Sequence, residues 1–259
     1  MHEGREGLLK SCSLADRPEL LVEFERLADL GWPRFMLEWR QPGGLPGRRE
    51  FLTEFADYQL ALFDDAGRLM GVGNTLPLVW DGTVPGLPES IQAVKRNAWE
   101  ARGTRANALC AIAALVEPQR RGQGARALLE AMSALAGRKG LEAFLAPVRP
   151  TLKAGYPREQ MESYVRRKDD AGRAFDPWLR THERLGAEFL AMMPRALSIE
   201  AGIGDWEAWT GLRFPESGEY VVPEGLAPLS IDRERGIGRY VEPNVWMRHP
   251  GPQSQLRKR

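Results

Sequence analysis

The stretch from Asn107 to Ala136 constrains this 259-residue chain most, because one hydrophobic period gives way to another across a glycine-bearing loop. Asn107 to Val116 (NALCAIAALV) is short, apolar and bounded by a polar stretch and Pro118, the pattern of a buried strand. From Ala125 onward, Ala125, Leu128, Leu129, Met132, Leu135 and Ala136 recur at the three- and four-residue spacing of one helical face. The segment between them, Glu117-Pro118-Gln119-Arg120-Arg121-Gly122-Gln123-Gly124, is therefore a strand-to-helix turn. A helix start leaves amide N–H groups unpaired and carries about half a positive charge, so an anion there is stabilised by roughly 0.3–1 kcal/mol from the dipole. Gly122 and Gly124 let the backbone approach a pyrophosphate, and Gln119, Arg120 and Arg121 supply donors around its rim.

Three readings of the loop compete. The plainest is a surface turn whose glycines serve only backbone angles. A nucleotide-cleaving P-loop is excluded, because it needs Lys followed by Ser or Thr after its last glycine, where Ala125 and Arg126 stand. Gly122-x-Gly124-x-x-Ala127 matches the spacing of a dinucleotide fingerprint, which also needs an acid at the end of the next strand. That strand ends in Ala146-Pro147-Val148-Arg149, Glu142 lies at its start, and no second βαβ repeat follows.

Val116-x-Pro118-Gln119-x-x-Gly122-x-Gly124-Ala125 resembles motif A of the GNAT acyltransferase superfamily, Gln/Arg-x-x-Gly-x-Gly/Ala, the pyrophosphate-binding segment for coenzyme A. The likeness is strong from Ala113 to Met132, and the order of elements around it extends it over most of the chain. The resemblance implies an acyl-CoA co-substrate, acetyl-CoA by preference, held by Gln119, Arg120, Arg121, Gly122, Gln123, Gly124 and Ala125. It also implies that the strand before the loop splays from its neighbour, freeing backbone groups near Leu115 and Val116 for pantetheine and the thioester carbonyl.

Pro177 to Ala187 (PWLRTHERLGA) lines up with the superfamily's late Tyr-x-x-x-Gly-Phe helix, with His182 in place of the tyrosine that protonates the departing thiolate. A histidine with an ordinary pKa near ~6.5 does this as imidazolium, or acts as a base when neutral. The bland alternative is a helix histidine bonded to a neighbour such as Glu183. The matches at Asp176, Pro177, Leu179, His182, Gly186 and Ala187 are also similar to the GNAT-like loading domains of polyketide synthases, where His and Thr act in acyl transfer or malonyl decarboxylation. Thr151 is the candidate threonine, although a hydroxyl after Pro150 is also a common cap or turn former. No acid precedes Glu117 on the motif A strand, which weakens an amine acceptor and leaves room for a hydroxyl, a carrier-protein thiol or an amine of already lowered pKa.

The rest of the chain fits an α/β fold: a GNAT-like mixed sheet flanked by helices, in one domain with an insertion after the motif A βαβ unit. Its parts are expected to be a helical and hairpin segment (1–105), the motif A core (106–150) and an acceptor-side insertion with the C-terminal part (151–259). Helices are expected at Arg17–Leu30, Trp32–Trp39, Arg49–Ala56, Pro88–Ala101 and Asp176–Leu185. Strands are expected at Tyr58–Phe63, Leu69–Val79, Leu141–Val148, Phe189–Glu200 and Ser230–Tyr240. Arg149, Lys153, Arg158, Arg166, Arg167 and Lys168 concentrate positive charge that suits the 3′-phosphate of CoA or an acidic acceptor, or is a solvated face. Trp178, Trp206, Trp209 and Trp246 are core or pocket aromatics.

With 36 basic and 35 acidic residues, the balance points to neither nucleic acid nor membrane as a main partner. The expected partners are a small-molecule or peptide acceptor, an acyl carrier protein as the alternative, and a second copy in a homodimer. A non-catalytic acyl-CoA sensor is the rival class. Two cysteines, Cys12 and Cys110, make no disulfide framework, the opening residues are polar, and no apolar run approaches about twenty residues, so a cytoplasmic protein is expected. No His/Cys/Asp/Glu set has metal-ligand spacing, and no metal is expected.

Overall fold

The computed structural model describes residues 10–39, 44–120 and 122–251. The chain opens with β1 (Lys10–Ser13), α1 (Leu21–Gly31), α2 (Arg34–Glu38) and α3 (Arg48–Glu54). The hairpin of β2 (Gln59–Phe63) and β3 (Leu69–Leu78) follows, then α4 (Ile91–Glu100). The central unit is β4 (Ala108–Val116), α5 (Gln123–Arg138) and β5 (Ala143–Val148). Beyond it come α6 (Met161–Arg166), α7 (Pro177–Arg184), β6 (Glu188–Gly202), α8 (Ile203–Thr210), β7 (Gly218–Tyr220), β8 (Leu229–Asp232) and β9 (Ile237–His249).

The nine strands among the described residues form one mixed sheet, ordered β1-β2-β3-β4-β5-β9-β8-β7, with β6 along the other flank of β9. Among the described pairings only β4–β5 is parallel, as a βαβ crossover through α5 requires. α5 lies on one face because its apolar stripe, Leu128, Leu129, Met132, Leu135 and Ala136, is buried against Leu60, Leu62, Leu109 and Phe144. On the opposite face α4 lays Val94 and Ala98 over Leu76, Leu78, Cys110 and Leu145, and α1 lays Phe24, Leu27 and Ala28 over Val72, Ala113 and Leu115. Burying one such leucine contributes roughly 1.5–3 kcal/mol, so each helix is held by its stripe more than by its propensity.

The expected helices and strands up to β5 are all present, with ends moved by at most four residues. Arg17–Leu30 begins as a short 3-10 turn at Pro18–Leu20, and Asp16 accepts from the Ser13 N–H and hydroxyl instead of capping α1. The C-terminal third departs most from expectation. Ser230–Tyr240 is not one strand but the hairpin of β8 and β9, turned through Arg233–Gly236, with Gly236 at φ 68. β9 then runs on to His249, through Pro243, which reads in the sequence as a breaker. The strand survives because β6 bulges there: Met193 pairs with Asn244 and Leu197 with Glu242, so Pro194, Arg195 and Ala196 together face Pro243. The short strands β1 and β7 and the helix α8 carry too little periodicity to be found in advance.

Met161, Tyr164 and Ala174, in the insertion between β5 and α7, join the core that contains the α5 stripe, so this segment packs on the α5 face of the sheet.

Candidate active site

β4 and β5 pair only over Ala108–Cys110 and Ala143–Leu145, and then part. The cause is local. Asn74 pairs with Ala113 and Thr75 with Ala111, so Ile112 is an extra residue that bends β4 away from the parallel ladder. Beyond Cys110, β4 continues beside β3 while β5 turns its other edge to β9, and a wedge-shaped gap opens between them. The Glu117 N–H donates to the Met70 carbonyl at 2.9 Å, and Leu115 pairs with Val72 two residues earlier in the same ladder. In an antiparallel ladder the backbone groups alternate in direction, so Leu115 turns its N–H and C=O to β3, while Ala114 and Val116 turn theirs to the gap. Of the two positions expected to serve a thioester, Val116 is the one whose backbone groups face the gap.

The loop follows directly. Gly122 caps α5 at φ 93 and ψ −77, a conformation that strains any L side chain, and nothing lies within 4 Å of where its Cβ would be. Gly124 is buried for a different reason: a Cβ there would stand 2.7 Å from the Val116 Cγ1, so the first turn of α5 rests on the end of β4. Together these glycines bring the unpaired amides of the first α5 turn beside the mouth of the gap. Gln119 and Gln123 are exposed at that rim, and Ala125 is half-buried beside them. Arg120 is turned aside, donating to the Asp64 carboxylate at 2.9 Å. Arg121 lies outside the described residues. Glu117 is paired with Arg26, so it is not the free solvent-facing acid its place beside Pro118 suggests.

α7 is started by Pro177 and by Asp176, whose Oδ1 accepts from the N–H groups of Trp178 (2.9 Å) and Leu179 (3.2 Å). His182, near its other end, is fully buried, packed edge-on by Trp178 at 4.5 Å and hydrogen-bonded through Nδ1 to Nε2 of His249 at 2.9 Å. His249, on β9, stacks on Phe144 at 4.6 Å. No bond is made by His182 Nε2. Burial, with the neighbouring His249, pushes the His182 pKa well below 6.5, and burial brings His249 down to about 4. Both rings are neutral near pH 7, so the imidazolium form is not the resting one. Glu183 turns away to Lys168, and the partner chosen by the fold is a histidine 67 residues on, which no local signal marks.

Thr151 is exposed, next to Leu152, whose N–H donates to Asp176 Oδ2 at 2.8 Å. It thus stands near the start of α7, the helix that carries His182 six residues after Asp176.

Arg149, Lys153 and Arg167 of the basic run after β5 are turned against the protein, whereas Arg158, Arg166 and Lys168 are exposed. Arg149 makes a bidentate pair with buried Glu242 (2.8 and 3.0 Å), and Glu242 also accepts from the Tyr240 hydroxyl at 2.6 Å. Lys153 is buried and donates to the carbonyls of Tyr156 (2.7 Å) and Leu226 (2.8 Å); burial lowers its pKa. Arg167 lies over the Phe175 ring at 3.9 Å, and Lys168 faces Glu183 at 3.6 Å. Of the tryptophans, Trp206 is core, whereas Trp246 is buried at the edge of a cavity on the α4 face. Cys12 and Cys110 are both free. Among the described residues no helix is long and apolar enough to cross a membrane.

No family model matches the chain. It is 29% identical to an arginine N-acetyltransferase of Aspergillus versicolor over 278 aligned positions, covering 94% of this chain and 93% of that one. The loading GNAT-like domain of CurA from Lyngbya majuscula has the same fold, with a TM-score of 0.57 at 16% identity over 96% of this chain and 100% of that domain. So does the GNAT-like decarboxylase GphF, solved in complex with isobutyryl-CoA, with a TM-score of 0.52 at 18% identity over 93% and 97%. The strand splayed by a bulge, the glycine-capped helix beside it and these likenesses agree on one architecture: the chain has a GNAT-like fold.

Proposed function

We propose that this protein transfers an acetyl group from acetyl-CoA directly to a nitrogen of a small basic acceptor, with arginine or an arginine-like compound as the acceptor class. The observation that carries the reading is the gap between β4 and β5, opened by Ile112 and lying beside the glycine-capped start of α5. Amides of the first α5 turn would hold the pyrophosphate, with Gln119 and Gln123 at the rim. The Val116 backbone, turned into the gap, would align the pantetheine and polarise the thioester carbonyl. Acyl-CoA supplies the activated acyl group, and these groups of the chain bind and orient it.

The acceptor class is supported by the likeness to an arginine N-acetyltransferase along nearly the whole chain. Neutral His182 is suited to accept or pass a proton, and not to resting as an acid.

Titration calorimetry with acetyl-CoA, malonyl-CoA, free CoA and NADH, followed by mass spectrometry of L-arginine incubated with acetyl-CoA and protein, tests this reading. Binding of the CoA compounds and a 42-Da gain on arginine are expected, the mass being that of an acetyl group replacing a hydrogen. NADH binding without CoA binding would overturn it.

A further inference from the structure

On the α4 face, a cavity of about 750 Å³ lies between the start of α4, the loop before it and β6, within the roughly 300–1,000 Å³ of small-molecule sites. Its wall carries exposed charge of both signs. Arg96 comes from α4 and Arg195 from the β6 bulge, and Glu89 precedes the α4 cap. None of the three has an ion-pair or hydrogen-bond partner among the described residues. Trp39 and Trp246 add flat aromatic surfaces, and the Trp246 indole N–H is fixed to the Pro88 carbonyl at 3.2 Å.

A second observation points from the cavity toward the gap. β9 lies between β6, which lines the cavity, and β5, which borders the gap. Asn244 on β9 is 5% exposed; its Nδ2 donates to the Pro147 carbonyl at 3.3 Å, but its Oδ1 has no donor. It shares the α4 face with Trp246, two residues on, and pairs with Met193 of the cavity wall. A buried carbonyl oxygen without a donor costs about 1–3 kcal/mol, and an N–H from a ligand would remove that cost.

We infer that this cavity is the acceptor subsite and that it holds the head group of a free basic amino acid at its mouth, with the carboxylate between Arg96 and Arg195 and the α-ammonium at Glu89. The side chain then runs inward over the tryptophans, a basic nitrogen passes Asn244 Oδ1, and the terminal side-chain nitrogen is the one presented at the gap. Guanidinium groups match carboxylates in geometry as well as charge, and aromatic faces accept cations, so each part of such a molecule meets its complement. This inference rests on the acyl-transfer reading above.

The test compares L-arginine with agmatine, its decarboxylated twin, as acceptors for acetyl-CoA with wild-type protein and with Arg96→Gln and Arg195→Gln. The KM for agmatine should exceed that for L-arginine at least tenfold. Each variant should raise the L-arginine KM at least fivefold while leaving the KM values for agmatine and acetyl-CoA unchanged, and the acetyl group should be found on the side-chain nitrogen. Equal KM values for the twins, an equal effect of the variants on both, or acetylation of the α-nitrogen would overturn it. If neither acceptor turns over, calorimetry of the two compounds with the CoA-saturated protein decides. Carboxylate-dependent binding weakened by Arg96→Gln sustains the inference, and no binding of L-arginine overturns it. Failure of acetyl-CoA to bind the wild type would instead sink the acyl-transfer reading.

Discussion

The start of α5 and the end of α7 are both parts of the candidate active site, yet they are built on opposite principles. At α5 the site is backbone: Gly122 takes a positive φ, Gly124 lets the helix rest on Val116, and the amides beside them are open. At α7 the site is side chain: His182 is buried and tied to His249, which comes from the far end of β9. The first design depends on residues that are absent from the space around the loop. The second depends on burial and on a partner delivered by the sheet. A backbone site is therefore sensitive to added bulk, whereas a buried polar site is sensitive to pH and to loss of a partner.

The largest effect is expected at Gly124. Gly124→Asp puts a carboxylate where its Cβ already meets Val116 Cγ1 at 2.7 Å and adds negative charge at the pyrophosphate end of the helix, so acetyl-CoA binding should fall more than 100-fold by calorimetry. Unchanged affinity would break the contrast at its first term.

Next comes the buried pair beside the insertion. Arg149→Met leaves Glu242, 1% exposed, without its bidentate partner, and should cost about 3–5 kcal/mol in denaturant unfolding. A loss below about 1 kcal/mol would show that water replaces the guanidinium.

The histidine pair predicts a pH window. Because the folded pKa of His249 lies at about 4, below the unfolded value near 6.5, the unfolded chain binds protons first, and stability should fall as pH drops from about 7 toward 4. For His249 alone this is about 3 kcal/mol, and thermal unfolding should show a Tm lower by roughly 6–12 °C at pH 4.5 than at pH 7.5. The His182→Phe/His249→Phe double variant should flatten that dependence, and a slope unchanged by it would assign the loss to other groups.

The smallest effect sharpens the account of how α7 is held. Asp176 Oδ2 accepts from the Leu152 N–H at 2.8 Å and the Tyr164 hydroxyl at 2.9 Å while Oδ1 caps the helix. Asp176→Asn keeps the cap oxygen but turns a donor toward those donors, at a cost of about 1–2 kcal/mol in unfolding free energy.

Much of the first half was legible because its contacts are local. The β2–β3 hairpin, the β4–α5–β5 crossover and the amphipathic stripe of α5 are carried by residue types within a few positions of each other. The end of the chain was not, since β9 is held by β5, β6 and β8 in different parts of its length. Its Pro243 and the charged turn at Arg233–Gly236 resolve only when those partners are in place.

By itself the sequence determined that a phosphate-suited loop would stand between a buried strand and an amphipathic helix, because spacing and glycine chemistry are local properties. Which donors remain available was decided by the tertiary structure. It drew Arg120 to Asp64, Arg149 to Glu242 and Lys153 to two carbonyls, all distant in sequence or hidden by packing. It also set His182 against His249 and left Arg96, Arg195 and Glu89 around one cavity. Charge is written in the sequence, but its neutralisation depends on which distant segments the folded sheet brings within hydrogen-bond reach.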